Sequence, residues 1–413
     1  MTLLELSPNL TPKTALEPSV SSAALNTSLI CQGRPHALCR TLHLLSSREH
    51  VQHRSALPAP ASHPRKPNAG VIVVPTYYSQ ALMTPSESWR AIRSIRAEPP
   101  RSIASSLGQR DRQREFHMAL EQAQQQLRAA SQIDYESRPL NLFYGLAQAG
   151  RAICAASHRV GGQGQPHWRG QGHGVKFDPN CKPDMMFAQH INQDTSSNDL
   201  FTLVSHAIDS PSRFGSAPFG AVVNQLYDYT ITFREAEDYP RPIADVHVSD
   251  RPLPTEVEVA VPGLPNGTAI TEEEVRQLLA CYPALTRLPV VLNDDGTVRL
   301  SHNPGRCFVR IDRPEQLVLK RGRPHLQGAT WYRHHAMLMP TLGDAQEPTN
   351  PLMIWWLTLF ALSVMARYAP SVWTRVLSLS DSQISSRIEL LLDEAIGAIP
   401  ELVYTELEAL GTS

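Results

Sequence analysis

Apolar positions keep a helical period early and late in this chain and lose it in between. From Gln109 to Ser131, Phe116, Leu120, Ala123 and Leu127 recur at spacings of three and four among Gln, Glu and Arg, which predicts an amphipathic helix. A second helix is expected after Tyr135-Glu136-Ser137-Arg138-Pro139, running to about Ser157, with Ser137 placed to cap the first amides and Pro139 suited to the first turn. Its apolar face is Leu142, Phe143, Leu146, Ala149 and Ile153, and Gly145, Ala149, Gly150, Ala152 and Ala156 are small enough to admit a neighbouring backbone.

Six glycines between 161 and 174 then break the pattern and lead toward Val175-Lys176-Phe177, a loop entering a strand. They lack the Lys-Ser/Thr ending or strand-to-helix setting of a phosphate cradle, so a flexible surface loop is expected. From about 221 to 335 short β-type runs dominate: Ala221-Val222-Val223, Tyr227 to Phe233, Ala244 to Val248, Glu256 to Val261, Val290 to Leu292 and Phe308 to Ile311. Asp294-Asp295-Gly296 reads as a turn, and a short helix over Thr271 to Ala280 carries a capping box of Thr271 and Glu274. Helical period returns over Pro351 to Tyr368, Pro370 to Leu379 and Ser382 to Glu408.

These elements predict an α+β fold. Helices of residues 71–160 and 341–413 pack together, the last part against 109–157, around a β-rich mixed insert of 161–340. Residues 1–70 hold no Phe, Tyr or Trp and are rich in Ser, Ala, Pro and His, so they read as a disordered tail, or as a gene read too far upstream with Met83 the latest start. Order is expected from the β-branched run Val71-Ile72-Val73-Val74, followed by a Ser/Pro/Trp stretch through Trp89.

Charge and cysteines narrow the class. The 38 basic and 39 acidic residues nearly cancel, which excludes a whole-chain field drawing it to nucleic acid or anionic lipid. Of the 38, 33 are Arg, a bias that GC-rich coding produces without function. The six cysteines form no Cys-x-x-Cys pair, and Cys31, His36, Cys39 and His43 are not at zinc-finger spacing, so reduced thiols in a cytoplasmic protein are expected. Met1 to Pro8 has no secretory pattern. The apolar run Leu352 to Ala366 falls short of the roughly 20 residues that cross a bilayer and reads as a buried core helix.

Candidate chemistry sits on the two apolar helices. Asn141, Tyr144, Gln148 and Arg151 fall at i, i+3, i+7 and i+10, a polar stripe that must face water, a polar network or a ligand. Arg367 and Tyr368 stand where the late helix stops. There the guanidinium can cap its own last carbonyls, or join Arg138, Tyr144, Gln148 and Arg151 as a ligand-binding site for an anion.

Three segments carry a resemblance: Tyr135-Glu136-Ser137-Arg138-Pro139-Leu140-Asn141-Leu142-Phe143-Tyr144-Gly145-Leu146; Gly172-His173-Gly174; and Leu359-Phe360-Ala361-Leu362-Ser363 with Ala366-Arg367-Tyr368-Ala369-Pro370 and Trp373. Together they resemble the pattern of the uncharacterised bacterial YaaC-like family over roughly 89 to 410. The resemblance implies relatives without a reaction or ligand.

Arg151 and His158, with six residues between, also fit the catalytic signature of metal-independent HEPN ribonucleases, in which His acts as acid or base and Arg steadies phosphate. The same signature occurs at Arg112 to His117, and this many Arg and His residues produce such matches by chance. His334-His335 on a strand would point to opposite faces, so no metal site and no cofactor are expected. Trp331-Tyr332, Trp355-Trp356 and Trp373 could stack bases, although Trp355, Trp356 and Trp373 suit a core or an interface better. The best expectation is a non-catalytic binding or regulatory protein whose partner is an anionic small molecule or RNA, with no membrane and a homodimer as one arrangement. The alternatives are a HEPN-like ribonuclease or RNA-binding protein, and a purely structural or protein-interaction module.

Overall fold

Helix α1 (Pro85–Ala97) opens on a capping box in which Thr84 accepts from the Glu87 amide and Glu87 reaches back to the Thr84 backbone. The computed structural model describes residues 82–194, 198–233, 239–244, 255–264, 269–320, 323–333 and 335–412. The tail of 1–70, the run Val71–Val74 and Cys31 and Cys39 therefore lie outside the described residues. From Pro85 the Ser/Pro/Trp stretch through Trp89 is helical because Trp89 and Ile92 bury on one face behind that cap.

Short α2 (Arg101–Ser106) leads into α3 (Arg110–Ala130), whose expected face of Phe116, Leu120, Ala123 and Leu127 is buried. Helix α4 (Arg138–Ala156) is the central strut. A Cβ on Gly145 would come 2.8 Å from Leu127, and one on Gly150 would come 2.8 Å from both Trp356 and Val204, so these glycines set how closely neighbours approach. The Ser137 hydroxyl, expected to cap α4, makes no capping bond, and the start rests on Pro139 in the first turn. The other end is closed by Arg112, whose buried guanidinium donates to the carbonyls of Ala155 (2.9 Å), Val160 (3.0 Å), Cys154 (3.0 Å) and Ser157.

The chain next builds a small antiparallel sheet in the order β1 (Val175–Phe177), β2 (His190–Gln193), β3 (Ser216–Pro218), with α5 (Leu200–Ala207) between β2 and β3. Two of the expected β-type runs are helices instead, α6 (Phe219–Val223) and α7 (Tyr227–Thr232). Short apolar runs carry no usable period, and burial here is set by packing on α10, introduced below, and on the neighbouring aromatic rings. The apolar side chains of 160–233 join the helical core, and a second core begins only at Ile243.

That second core belongs to β4 (Ile243–Ala244), β5 (Glu256–Ala260), α8 (Glu272–Leu279), α9 (Pro283–Thr286), β6 (Arg306–Arg310), β7 (Leu317–Lys320), β8 (Arg323–Leu326) and, through Leu338, β10 (His335–Leu338), while β9 (Thr330–Tyr332) pairs with β10 and sends Tyr332 into the first core. β5 and β6 pair with Val257 opposite Val309 and Val259 opposite Cys307, and α8 adds Val275 and Leu279 behind the expected Thr271–Glu274 box. Asp294-Asp295-Gly296 is a turn, held by Asp295 accepting from Thr297. The expected strand over Ala244 to Val248 lies mostly outside the described residues.

Helices α10 (Pro351–Tyr368), α11 (Pro370–Leu377) and α12 (Ser385–Thr412) return to the first core and pack on the N-terminal helices, which makes the fold α+β with a β-rich insert. Helix α10 is apolar and long enough to cross a membrane, yet every residue from Pro351 to Met365 is buried inside the protein, so it is a core helix. One charge cluster fastens the insert to this core. Arg333, at φ +46 between β9 and β10, donates to Asp228 of α7 (3.0 Å) and to Glu394 and Glu401 of α12 (3.2 Å each), while Tyr332 donates to Asp228 and receives the Trp355 indole N–H at 3.2 Å.

Candidate functional site

Helices α4 and α10 run antiparallel: Gly150 meets Trp356, Phe143 meets Trp356 and Phe360, and Tyr144 meets Arg367. Toward the Arg367 end a loop of the glycine-rich segment lies against both helices, touching Phe143 of α4 and Phe360 of α10. Gly172 (φ +70) and Gly174 (φ +79) hold this loop in the left-handed region that favours glycine. Gly174 also lies so close to Asp199 that a Cβ there would overlap its carboxylate, and Asp199 in turn caps α5 through the Thr202 amide at 2.7 Å. Gly174 is thereby fixed against the core, while Gln171, Gly172 and His173 before it are exposed, so the loop lies at the surface with this end anchored.

Its product is His173, whose ring packs on Phe143 (centroids 5.3 Å apart) and Phe360 (5.7 Å). Although the residue is exposed on its outer side, desolvation of the ring packed on these aromatics, reinforced by the positive charges of Arg151 and Arg367, holds its imidazole below the usual histidine range. Around it lies a pocket of about 280 Å³. Its apolar walls include Leu140, Phe143, Val175, Phe177, Phe360 and Val364, and its polar groups are Tyr144, His173, Lys176, Ser363, Arg367 and Tyr368.

At the mouth, the Arg367 guanidinium donates to the Tyr144 hydroxyl at 3.0 Å and stacks over the Tyr368 ring at 5.0 Å. It reaches across to α4 instead of folding back on the last carbonyls of its own helix. Lys176 supplies a second cation, paired at 3.2 Å with Asp194. None of the described residues lining the pocket is acidic. Such an arrangement can hold a negative group at its rim and an apolar group on its floor, with up to five guanidinium N–H donors to share.

Of the residues singled out in the sequence, Tyr144, Arg367 and Tyr368 line this pocket together. Gln148 and Arg151 lie farther along α4 outside the lining, although Arg151 is near enough to act on His173 through its charge. The structure does not bring Arg138 there: it binds Asp393, donates to the Ile133 carbonyl at 2.9 Å and lies over the Tyr135 ring. Asn141 turns to Gln126. His158 is exposed in the turn beyond the end of α4, so it does not share a helix face with Arg151. His173, Phe143, Phe360 and Lys176 were not singled out as site residues, although a histidine bracketed by two glycines was a signal that a backbone is being steered to place one ring.

Other chemistry has little support. Burial pushes the Cys154 thiol up to about 12 and the Cys307 thiol up to about 11, far from a reactive thiolate. Among the described residues, no three His, Cys, Asp or Glu side chains gather as a metal-binding group. Trp355, Trp356 and Trp373 are buried and unable to stack on a base from outside.

Residues 93–407 match the model of the family described as YaaC-like Protein. The chain belongs to the YaaC-like family. The YaaC-like match takes in both pocket walls, the His173 loop between them and the whole β-rich insert, and its description names no reaction or ligand. No curated protein and no solved structure matches the chain.

Proposed function

We propose that this YaaC-like protein is a cytoplasmic, non-catalytic binding or regulatory protein that holds an anionic small molecule in the pocket between α4 and α10. The observation that carries the reading is the Arg367–Tyr144 pair at the mouth of a pocket with no acidic lining residue. A guanidinium fork beside a phenol hydroxyl binds a carboxylate or phosphate directionally, and because the pair is exposed at the rim, the apolar walls add to binding through what they cover and not by strengthening that contact. Among the described lining residues the one serine, Ser363, donates to the Phe360 carbonyl and no base is bonded to it, which favours binding over chemistry.

The test is to denature the purified full chain and analyse what it releases by mass spectrometry, beside an Arg151→Ala/Arg367→Ala variant checked for folding. A small anion released by the wild type and missing from the folded variant is the expected result. The same anion in both would overturn the proposal. A structural reading also has one observation in its favour, since the Arg367–Tyr144 bond ties α10 to α4. It requires Arg367→Ala to lower the melting temperature while leaving ligand binding unchanged. The ribonuclease reading needs Arg151 and His158 to converge, and the position of His158 past the helix end weighs against it.

A further inference from the structure

We infer that the occupant of the α4–α10 pocket is an amphipathic anion, with a ring-sized apolar body lying on Phe143, Phe360 and Val364 and its charged head at Arg367 and Tyr144, rather than a compact hydrated anion. This rests on the anion reading above and narrows it to a ligand class.

The argument starts from what each part of the pocket can satisfy. The floor and walls are aromatic and branched aliphatic side chains, and Tyr144, Arg367 and Tyr368 are exposed polar groups of the lining while Phe143, Phe360 and Val364 are buried. A small ion such as inorganic phosphate can meet the exposed Arg367 at the rim with most of its hydration kept, so it gains one screened contact and nothing from Phe143, Phe360 and Val364. An apolar body meets the same surfaces favourably, at about 25 cal/mol for each Å² withdrawn from water. The ring geometry adds a preference. Phe143 is packed edge-to-face with His173, Trp356 and Phe360 at 5.3 to 5.7 Å, a herringbone that another aromatic ring can extend.

The head is equally constrained. Ser363 already donates to the Phe360 carbonyl at 2.8 Å and Lys176 is paired with Asp194, so the donor aimed into the pocket mouth is the Arg367 guanidinium beside Tyr144. His173 packs on Phe143 and Phe360, so it adds a ring face to the lining, and the two arginines disfavour its charged form. A volume of about 280 Å³ lies just under the roughly 300 Å³ at which pockets for drug-sized molecules begin, which fits one or two rings and a single head group.

The experiment is calorimetric titration of the full chain with benzoate, phenyl phosphate, benzyl alcohol, acetate and inorganic phosphate, repeated on Arg367→Gln after its fold is checked by circular dichroism. Benzoate or phenyl phosphate should bind at least tenfold more tightly than acetate, inorganic phosphate and benzyl alcohol, and lose that advantage in Arg367→Gln. The stronger of the two anions names the head as carboxylate or phosphate. Inorganic phosphate or acetate binding as well as its ring-bearing counterpart, still dependent on Arg367, would overturn the amphipathic inference and leave the anion site standing. Benzyl alcohol binding as well as the anions, or no binding by any probe, would overturn both.

Discussion

Replacing Arg333 by Met removes one guanidinium and leaves Asp228, Glu394 and Glu401 facing one another where α7, α12 and the β9–β10 turn meet. The side chains of Glu401 and Asp228 are 2% and 13% exposed, so water cannot replace the lost partner at either. Removing one member of a buried ion cluster costs about 3–5 kcal/mol, because the partners keep their desolvation penalty without its compensation. Arg333 sits at φ +46, and Met pays the same backbone penalty there, so the substitution isolates the charge. At about 2 °C per kcal/mol for a chain of this size, the melting temperature should fall by roughly 6–10 °C. Differential scanning calorimetry measures it. Adding Glu401→Gln to Arg333→Met should recover part of the loss, since one buried charge is then neutral. A loss under about 1 kcal/mol, or a double variant no more stable than Arg333→Met alone, would refute the claim that this cluster fastens the insert to the helical core.

Three further outcomes follow from the same geometry. Arg112→Met should cost at least about 3 kcal/mol in urea denaturation, since it strips the donors from four carbonyls at the end of α4, and Arg112→Lys should recover little because a compact ammonium cannot span them. Gly174→Ala should cost about 1–3 kcal/mol from its left-handed backbone alone and also weaken ligand binding, because the added Cβ displaces Asp199 and shifts His173; unchanged stability by thermal melting would argue against the built loop. His173 should titrate below 6.5 by NMR, and its titration should move upward in Arg367→Ala as one cation is removed. The unfolded chain takes up this proton first, so the stability from neutral His173 is present above about 6.5 and is lost as the pH falls through the window just below it. A His173 that titrates at or above the ordinary value would show that the two arginines do not act on it.

Periodicity made the helical half of this fold legible. Phe116, Leu120, Ala123 and Leu127 repeat over a long enough run to define a face, and α10 is so uniformly apolar that only burial accommodates it. The same reasoning failed at Ala221-Val222-Val223 and Tyr227 to Phe233, where a few apolar residues are compatible with strand or helix and tertiary packing decides. Helix α1 was missed although the Thr84–Glu87 box was in plain view, because Pro85 and two serines masked the Trp89–Ile92 spacing.

The site was half legible. A polar stripe on an apolar helix pointed to Tyr144, and a guanidinium at the end of another pointed to Arg367, because polar groups there need partners. Arg138 opens the helix that carries Tyr144 but is claimed by Asp393, from a helix more than two hundred residues away in sequence, which no local pattern reveals. His173 comes from a loop whose path is set by Gly172, Gly174 and Asp199 together, and only the fold shows that this path ends between Phe143 and Phe360.

The most direct test of the pocket is a crystal structure of the full chain grown with 4-iodobenzoate, in which the anomalous signal of iodine locates the ring without reference to the protein. The account predicts an iodine peak in the cleft beside Phe143 and Phe360, with the carboxylate within hydrogen-bond reach of Arg367 and Tyr144. A peak elsewhere on the protein, with that cleft empty at saturating probe, would contradict it.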